Sequence, residues 1–275
     1  MSEHVIITYN TQDSAAAALS MDISLLLEKR GLQPVLYTPD MDFCFERGCA
    51  LCMITVGGDG TILHWGKLAA MCEIPLLGVN RGRLGFMATL EPSETERIPD
   101  IILGDFQVSR RMLMNVEIHR ADGTHETREA LNDVVVERDR CSKLPEFRIS
   151  CGNSEVSRLQ ADGVIFSTPT GSTAYSLSAG GAIIAPDMEC IECTPLCPHT
   201  LFSRPMIFSA TKDIFLRCIS YQGSVVTISV DGERGIPFDD GDVLQLSRFE
   251  KPLELIETGE GFFGAVRNKL MTPLK

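Results

Sequence analysis

At 275 residues and 44 % hydrophobic, the chain can bury one large core or two ordinary ones, and two is the better prior. A formal net charge of −12 and a pI near 4.9 argue against non-specific binding to nucleic acid or anionic membranes, since both depend on Lys and Arg neutralising phosphates. With no basic leader and only the short apolar run Val5 to Tyr9 at its start, the chain shows neither a secretory signal nor a membrane span; a cytoplasmic location is expected, and its ten cysteines read as reduced thiols, core residues or metal ligands rather than a disulfide framework.

Val5 to Tyr9 is expected to be the first strand, followed by a helix capped by Thr11 or Asp13 that ends near Arg30 with Gly31 just beyond. Pro34 to Tyr37 reads as a short second strand. Leu51 to Val56 is an unbroken apolar run, as in a strand buried on both faces of a parallel sheet. It runs into Gly57-Gly58-Asp59-Gly60-Thr61, with a helix expected from Ile62. Two adjacent glycines permit positive φ and let a ligand approach the backbone, and a strand, glycine turn and helix in succession form a phosphate-binding geometry. Asp59 is the unusual residue there. A carboxylate beside an anion site repels phosphate unless it takes a proton from a hydroxyl or helps hold a metal, both of which are steps in phosphoryl transfer. The alternative is a tight turn in which Asp59 caps the helix. Ile74 to Val79 is a further strand, ending in Asn80-Arg81-Gly82-Arg83-Leu84-Gly85-Phe86, and Ser93-Glu94-Thr95-Glu96 reads as a capping box opening a helix that stops at Gly104. The alternation predicts a three-layer α/β domain on a parallel sheet over residues 1–105.

The pattern then changes. Arg111 to His119 and Glu126 to Glu137 flank Asp122-Gly123, a hairpin signal, and short runs over 147–151, 163–167, 207–209, 214–219, 225–230, 243–246 and 253–256 are punctuated by Gly, Asp, Asn or Pro. They predict a β-rich domain of two packed antiparallel sheets, sandwich-like, over 106–258. Residues 259–275 form a tail, strand or helix, that packs back on the first domain. Within the second domain, Ser167 to Tyr175 follows a strand and leads into a helical pattern, collecting small hydroxyl residues suited to nucleotide hydroxyls and phosphates; a plain Ser/Thr-rich turn is the alternative. Neither glycine-bearing stretch is a Walker A loop or a Gly-x-Gly-x-x-Gly fingerprint.

Gly57-Gly58-Asp59-Gly60-Thr61, Asn80 to Phe86, Asn132-Asp133 and Thr168-Pro169-Thr170-Gly171-Ser172-Thr173-Ala174-Tyr175, in this order, resemble the ATP-NAD kinase family over nearly the whole chain. The resemblance implies phosphorylation of the adenosine-ribose 2′-hydroxyl of NAD to give NADP, in a cleft between an α/β domain and a β-sandwich domain, by a homodimer or homotetramer. It makes Asp59 the catalytic aspartate and Gly57, Gly58, Gly60 and Thr61 the donor-phosphate loop. Asp59, Gly60, Arg83, Phe86, Asn132, Asp133, Asp162, Thr170, Thr173, Ala174 and Tyr175 are then the dinucleotide-binding set. Asp231-Gly232 matches a further family element, although Glu233 stands where many members have glutamine. Mg²⁺ or another divalent cation would arrive with ATP, bridging its oxygens, rather than occupy a protein cage.

Two other readings share the Gly-Gly-Asp-Gly element or the nucleotide-like loops: a lipid or sugar kinase, and a dinucleotide sensor that transfers nothing. Cys190, Cys193, Cys197 and His199 have ligand types that zinc accepts, but Pro195 and Pro198 interrupt them, and they are expected not to bind metal. Cys44, Cys49 and Cys52 have no convincing partner set. His64 and Trp65 read as helix packing, and Arg81, Arg83, Arg110 and Arg111 as candidates for the local basic patch that an anionic ligand needs.

Overall fold

The computed structural model describes residues 4–38, 48–81, 85–88, 90–139, 142–200, 202–219, 224–233, 235–259 and 261–271, and every count below refers to these. The chain divides into two compact units, Met1–Arg111 with Lys251–Lys275, and Met112–Glu250.

The first unit contains β1 (His4–Tyr9), α1 (Ser14–Glu28), β2 (Gln33–Tyr37), β3 (Cys52–Gly57), α2 (Asp59–Met71), β4 (Leu76–Asn80), a 3₁₀ turn at Pro92–Arg97, α3 (Ile98–Leu103) and β5 (Val108–Arg111). The second contains β6 (Met114–His119), β7 (His125–Ala130), β8 (Asp133–Arg138), β9 (Glu146–Cys151), β10 (Ser154–Gln160), β11 (Gly163–Ser167), α4 (Tyr175–Ser178), β12 (Cys190–Leu196), β13 (Met206–Ser209), β14 (Ile214–Ile219), β15 (Val226–Val230), β16 (Ile236–Pro237) and β17 (Val243–Arg248). The chain then returns to the first unit with β18 (Leu253–Ile256) and α5 (Gly261–Val266), which continues as a π-helical turn to Met271.

The first unit is built on one sheet of order β2-β1-β3-β4-β18-β5, parallel except for the antiparallel edge strand β5. Alternation along β3 separates its faces. Cys52, Ile54 and Val56 pack with Ile23 and Leu27 of α1 and Ile98 and Ile102 of α3. On β4, Gly78 points the other way, toward Ile62 of α2, where an added Cβ would lie 2.8 Å from the Ile62 Cδ1. Helices on both faces of the sheet make the expected three layers. Asp13 caps α1, accepting from the Ala15 and Ala16 amides at 3.0 and 3.2 Å. Gly31, just past the helix, takes φ +79°, a conformation that costs glycine little.

The second unit is a sandwich of two six-stranded antiparallel sheets, β10-β9-β14-β17-β6-β7 and β13-β12-β11-β8-β15-β16. Inward side chains of both sheets, among them Phe147, Ile149 and Leu216 from the first and Val134, Phe166 and Ile228 from the second, form one core. The Asp122-Gly123 turn closes the β6–β7 hairpin with Gly123 at φ +90°.

The run over 253–256, read as a strand of the sandwich, instead forms β18 in the first unit's sheet, and several boundaries also differ from the sequence reading. Helix α2 begins at Asp59, not Ile62, so the glycine loop is the first helical turn. Pro92 suits a first helical position and starts the 3₁₀ turn one residue before Ser93; the reciprocal contact is Glu91 N–H to Glu94 Oε2 at 3.0 Å. The run Arg111 to His119 breaks at Met112-Leu113, because residues 108–111 belong to the first unit's sheet. The run Glu126 to Glu137 breaks at Leu131-Asn132, because its halves enter different sheets of the sandwich.

Candidate active site

Strands β3 and β4 run parallel with Gly57 paired to Asn80, so both loops leave the same carboxyl edge of the sheet. Gly58 is the N-cap of α2 at φ −87°, ψ −178°, ordinary extended backbone. None of the loop's glycines is left-handed, and Gly57 is there for space: a Cβ on it would lie 2.4 Å from the Thr61 Oγ1. Asp59 does not cap its own helix. Its carboxylate reaches the loop after β4 and accepts from the Phe86 amide at 2.9 Å and the Met87 amide at 3.3 Å. That removes the reading of Asp59 as a helix cap. The reach is possible because residue 85 is glycine, whose Cβ, were it present, would sit 1.8 Å from the Asp59 Oδ1. Gly85 was legible as part of a motif but not as the seat of the carboxylate, since only the fold brings it to Asp59. Lys269 joins the same cluster: its ammonium bonds the Gly85 carbonyl and lies 4.5 Å from the Phe86 ring centroid.

In the second unit, the turn before β8 and the loop after β11 are locked together. Thr168 Oγ1 donates to the Leu131 carbonyl at 2.6 Å, and the Thr168 amide donates to the Asn132 carbonyl at 2.8 Å. Gly171 lies so close that a Cβ would be 2.0 Å from the Asn132 carbonyl oxygen. The carboxylate of Asp231, held at φ +49°, accepts from the amides of Leu131, Asn132 and Asp133 at 2.9, 2.8 and 3.1 Å. Burial, reinforced by the Asp231 charge, raises the Asp133 carboxyl to about 7. Asn132 Oδ1 and Thr170 Oγ1 are both buried with no hydrogen-bond partner. Such groups are rare in folded proteins, and a ligand is one standard explanation.

Residues 6–105 match the ATP-NAD kinase N-terminal domain and residues 131–258 the ATP-NAD kinase C-terminal domain. An NAD kinase of Moorella thermoacetica is 34 % identical, the alignment covering 95 % of this chain and 87 % of that protein. The chain belongs to the ATP-NAD kinase family. Its fold is that of a yeast NADH kinase solved with NADH, at TM-score 0.84 and 24 % identity over 100 % of this chain and 89 % of that one. It is also similar to an NAD kinase from Archaeoglobus fulgidus solved in complex with ATP, at TM-score 0.75 and 26 % identity over 96 % of this chain and 98 % of that one. The lipid- or sugar-kinase and sensor readings gain no support from these relatives.

The remaining residues singled out from the sequence fall as follows. Arg83 lies outside the described residues, as does Cys44. Asp162 is held by Arg138, whose Nε and Nη2 approach its Oδ1 at 2.9 and 2.8 Å. Nothing in the sequence pairs these two residues, 24 positions apart. Thr173 Oγ1 donates to the Thr170 carbonyl at 3.3 Å, while Tyr175 stands 44 % exposed with its phenol raised by burial and by the nearby charge of Glu137. The helix that Tyr175 opens is tied down by Glu192, which is fully buried and accepts from Ser176 Oγ at 2.8 Å and the Ala182 amide at 2.6 Å. A lone glutamate in the otherwise uncharged Cys190–Leu196 strand was the available signal for it. Cys190 and Cys193 are an odd number of residues apart on regular β12, so their thiols leave opposite faces. Burial raises both thiols, and the described residues contain no cluster of three His, Cys, Asp or Glu side chains able to hold a metal ion.

Proposed function

We propose that the chain transfers the terminal phosphoryl group of ATP to the adenosine-ribose 2′-hydroxyl of NAD, giving NADP and ADP, with Asp59 as the general base. The observation that carries this reading is the Asp59 carboxylate, fixed by two backbone amides away from its helix cap. Each carboxylate oxygen keeps lone-pair capacity after one amide bond, so Asp59 can accept the hydroxyl proton while the oxygen attacks the phosphorus and the bond to the ADP oxygen breaks. The first turn of α2, with Gly58 and Gly60 carrying no side chain, supplies amides and a positive helix end to the phosphates. Asn132, Asp133, Thr170, Thr173, Ala174 and Tyr175 hold the dinucleotide, and the orphaned Asn132 Oδ1 and Thr170 Oγ1 are the acceptors its hydroxyl and amino groups would satisfy.

A divalent cation fits this donor set as a passenger on the triphosphate, with the Asp59 carboxylate able to help hold it; bound there, it would neutralise charge developing on the transferring group. A homodimer or homotetramer is part of the proposal, supported by exposed Ile207 on the edge strand β13 and exposed Phe202 in the segment before it. No described helix is long and apolar enough to cross a membrane. A cytoplasmic setting is proposed on the eight described cysteines, all free thiols. The test is purified protein with NAD, Mg²⁺ and ATP, or polyphosphate in its place, read as NADP by a dehydrogenase that accepts NADP alone. NADP formed only with donor and metal supports the reading, and no NADP with any donor overturns it.

A further inference from the structure

Within the first unit, a cavity of about 200 Å³ lies under α5, walled by the Gly85-Phe86 loop, the end of β18 and the C-terminal helix. Arg111 lines it, 4 % exposed, with its Nε buried and lacking any hydrogen-bond partner. Glu257, exposed and itself lining the cavity, acts on it electrostatically but makes no contact ion pair with it. A buried guanidinium without a contact partner is costly to the folded state, and burial accordingly pulls Arg111 down to about 10. Lys269, also lining the cavity, is drawn down by burial while the Asp59 charge acts against the shift. The rest of the wall is mostly apolar: the Phe86 and Phe262 rings, 6.4 Å apart between centroids, and Leu255. Two cations against the one carboxylate of Glu257 leave this mostly apolar, ring-lined pocket with a positive excess, complementary to an anion with an organic body.

We propose that this cavity is a binding site for an organic phosphate, its phosphate group on Arg111 and Lys269 and its body against Phe86, Phe262 and Leu255. The site resting on the kinase reading has two sources of such a ligand, the ATP donor and the NADP product, which share this chemistry. Occupancy would bear directly on catalysis, because the Gly85-Phe86 wall of the cavity is the segment whose amide holds Asp59.

The test uses the full chain with Arg111→Met, which keeps bulk and removes charge, and Lys269→Ala. Melting temperature is measured alone and with ATP, NADP or tripolyphosphate, beside KM for ATP and for NAD and inhibition by NADP. Arg111→Met should melt higher than wild type without ligand, since it removes an uncompensated buried charge, and should lose the ligand-induced rise. A donor in the cavity predicts a KM for ATP raised about tenfold or more in both variants, with KM for NAD unchanged in Arg111→Met. A product in the cavity predicts unchanged KM for ATP and NADP inhibition weakened by a similar factor. A melting rise given equally by tripolyphosphate and ATP would remove the organic body from the proposal. If Arg111→Met does not fold, Arg111→Gln, which also removes the charge, takes its place. Folded variants with wild-type KM for ATP and wild-type inhibition by NADP overturn the site. Should wild type make no NADP, the kinase reading fails while the ligand-induced melting rise and its loss in Arg111→Met still judge the cavity.

Discussion

At the scale of single residues, Gly85 and Asp59 are one device. A side chain at residue 85 would occupy the carboxylate's position, at 1.8 Å from its Oδ1, so Gly85→Ala should swing Asp59 off the Phe86 and Met87 amides. Misplacing a catalytic group by an ångström costs about 10²-fold, so kcat should fall at least that far with NAD affinity retained. Steady-state kinetics beside calorimetric NAD titration checks it. Asp133 carries a pH signature. Its folded carboxyl is raised from an ordinary 3.8 to about 7, so between those values the folded state binds more protons than the unfolded one. Stability should therefore fall as pH rises through that window and level off above it. Asp133→Asn should flatten that slope in melting temperatures taken from pH 4 to 8; an unchanged slope would place the titration elsewhere.

Among the elements, the turn at Leu131 to Asp133 is the most informative. Asp231 satisfies three successive amides there, and Asp231→Ala would leave all three without that partner. The expected cost is about 3 kcal/mol or more, seen in denaturant unfolding, together with a raised KM for NAD because Asn132 and Asp133 lose their register. This clasp also marks what could be read from the string. The strand before Gly57 and most strands of the sandwich were legible, because an apolar run of strand length or an alternating one admits few other fates; β10 and β12 were not named, and the run 253–256 was given to the wrong sheet. So was the Asp59 loop, whose carboxylate has no place in a plain phosphate cradle. Residues coupled over long sequence distances were not legible: Asp231 lies 99 positions from Asn132, Arg138 is 24 from Asp162, and Gly85 meets Asp59 across two elements. Their partners are fixed by strand order, which local patterns do not encode. The start of α2 was misplaced for a local reason, since glycines and an aspartate look like a loop even when they form a first helical turn.

For the whole molecule, the cation proposed to travel with the triphosphate makes a clear forecast. Chelation with EDTA should abolish NADP formation and excess Mg²⁺ should restore it, while the melting temperature of the ligand-free protein stays unchanged. A fall in melting temperature on chelation would instead indicate a structural metal. The proposed reaction depends on Asp59 as the base of a phosphoryl transfer to NAD. The most direct measurement is kcat for NADP formation and Kd for NAD, taken side by side for wild type and Asp59→Asn. Asparagine keeps the shape and an acceptor for one of the two amides but cannot take the proton. The predicted result is NAD binding close to wild type with kcat lower by about 10²–10⁴-fold or more. Turnover near wild type in the mutant would contradict it.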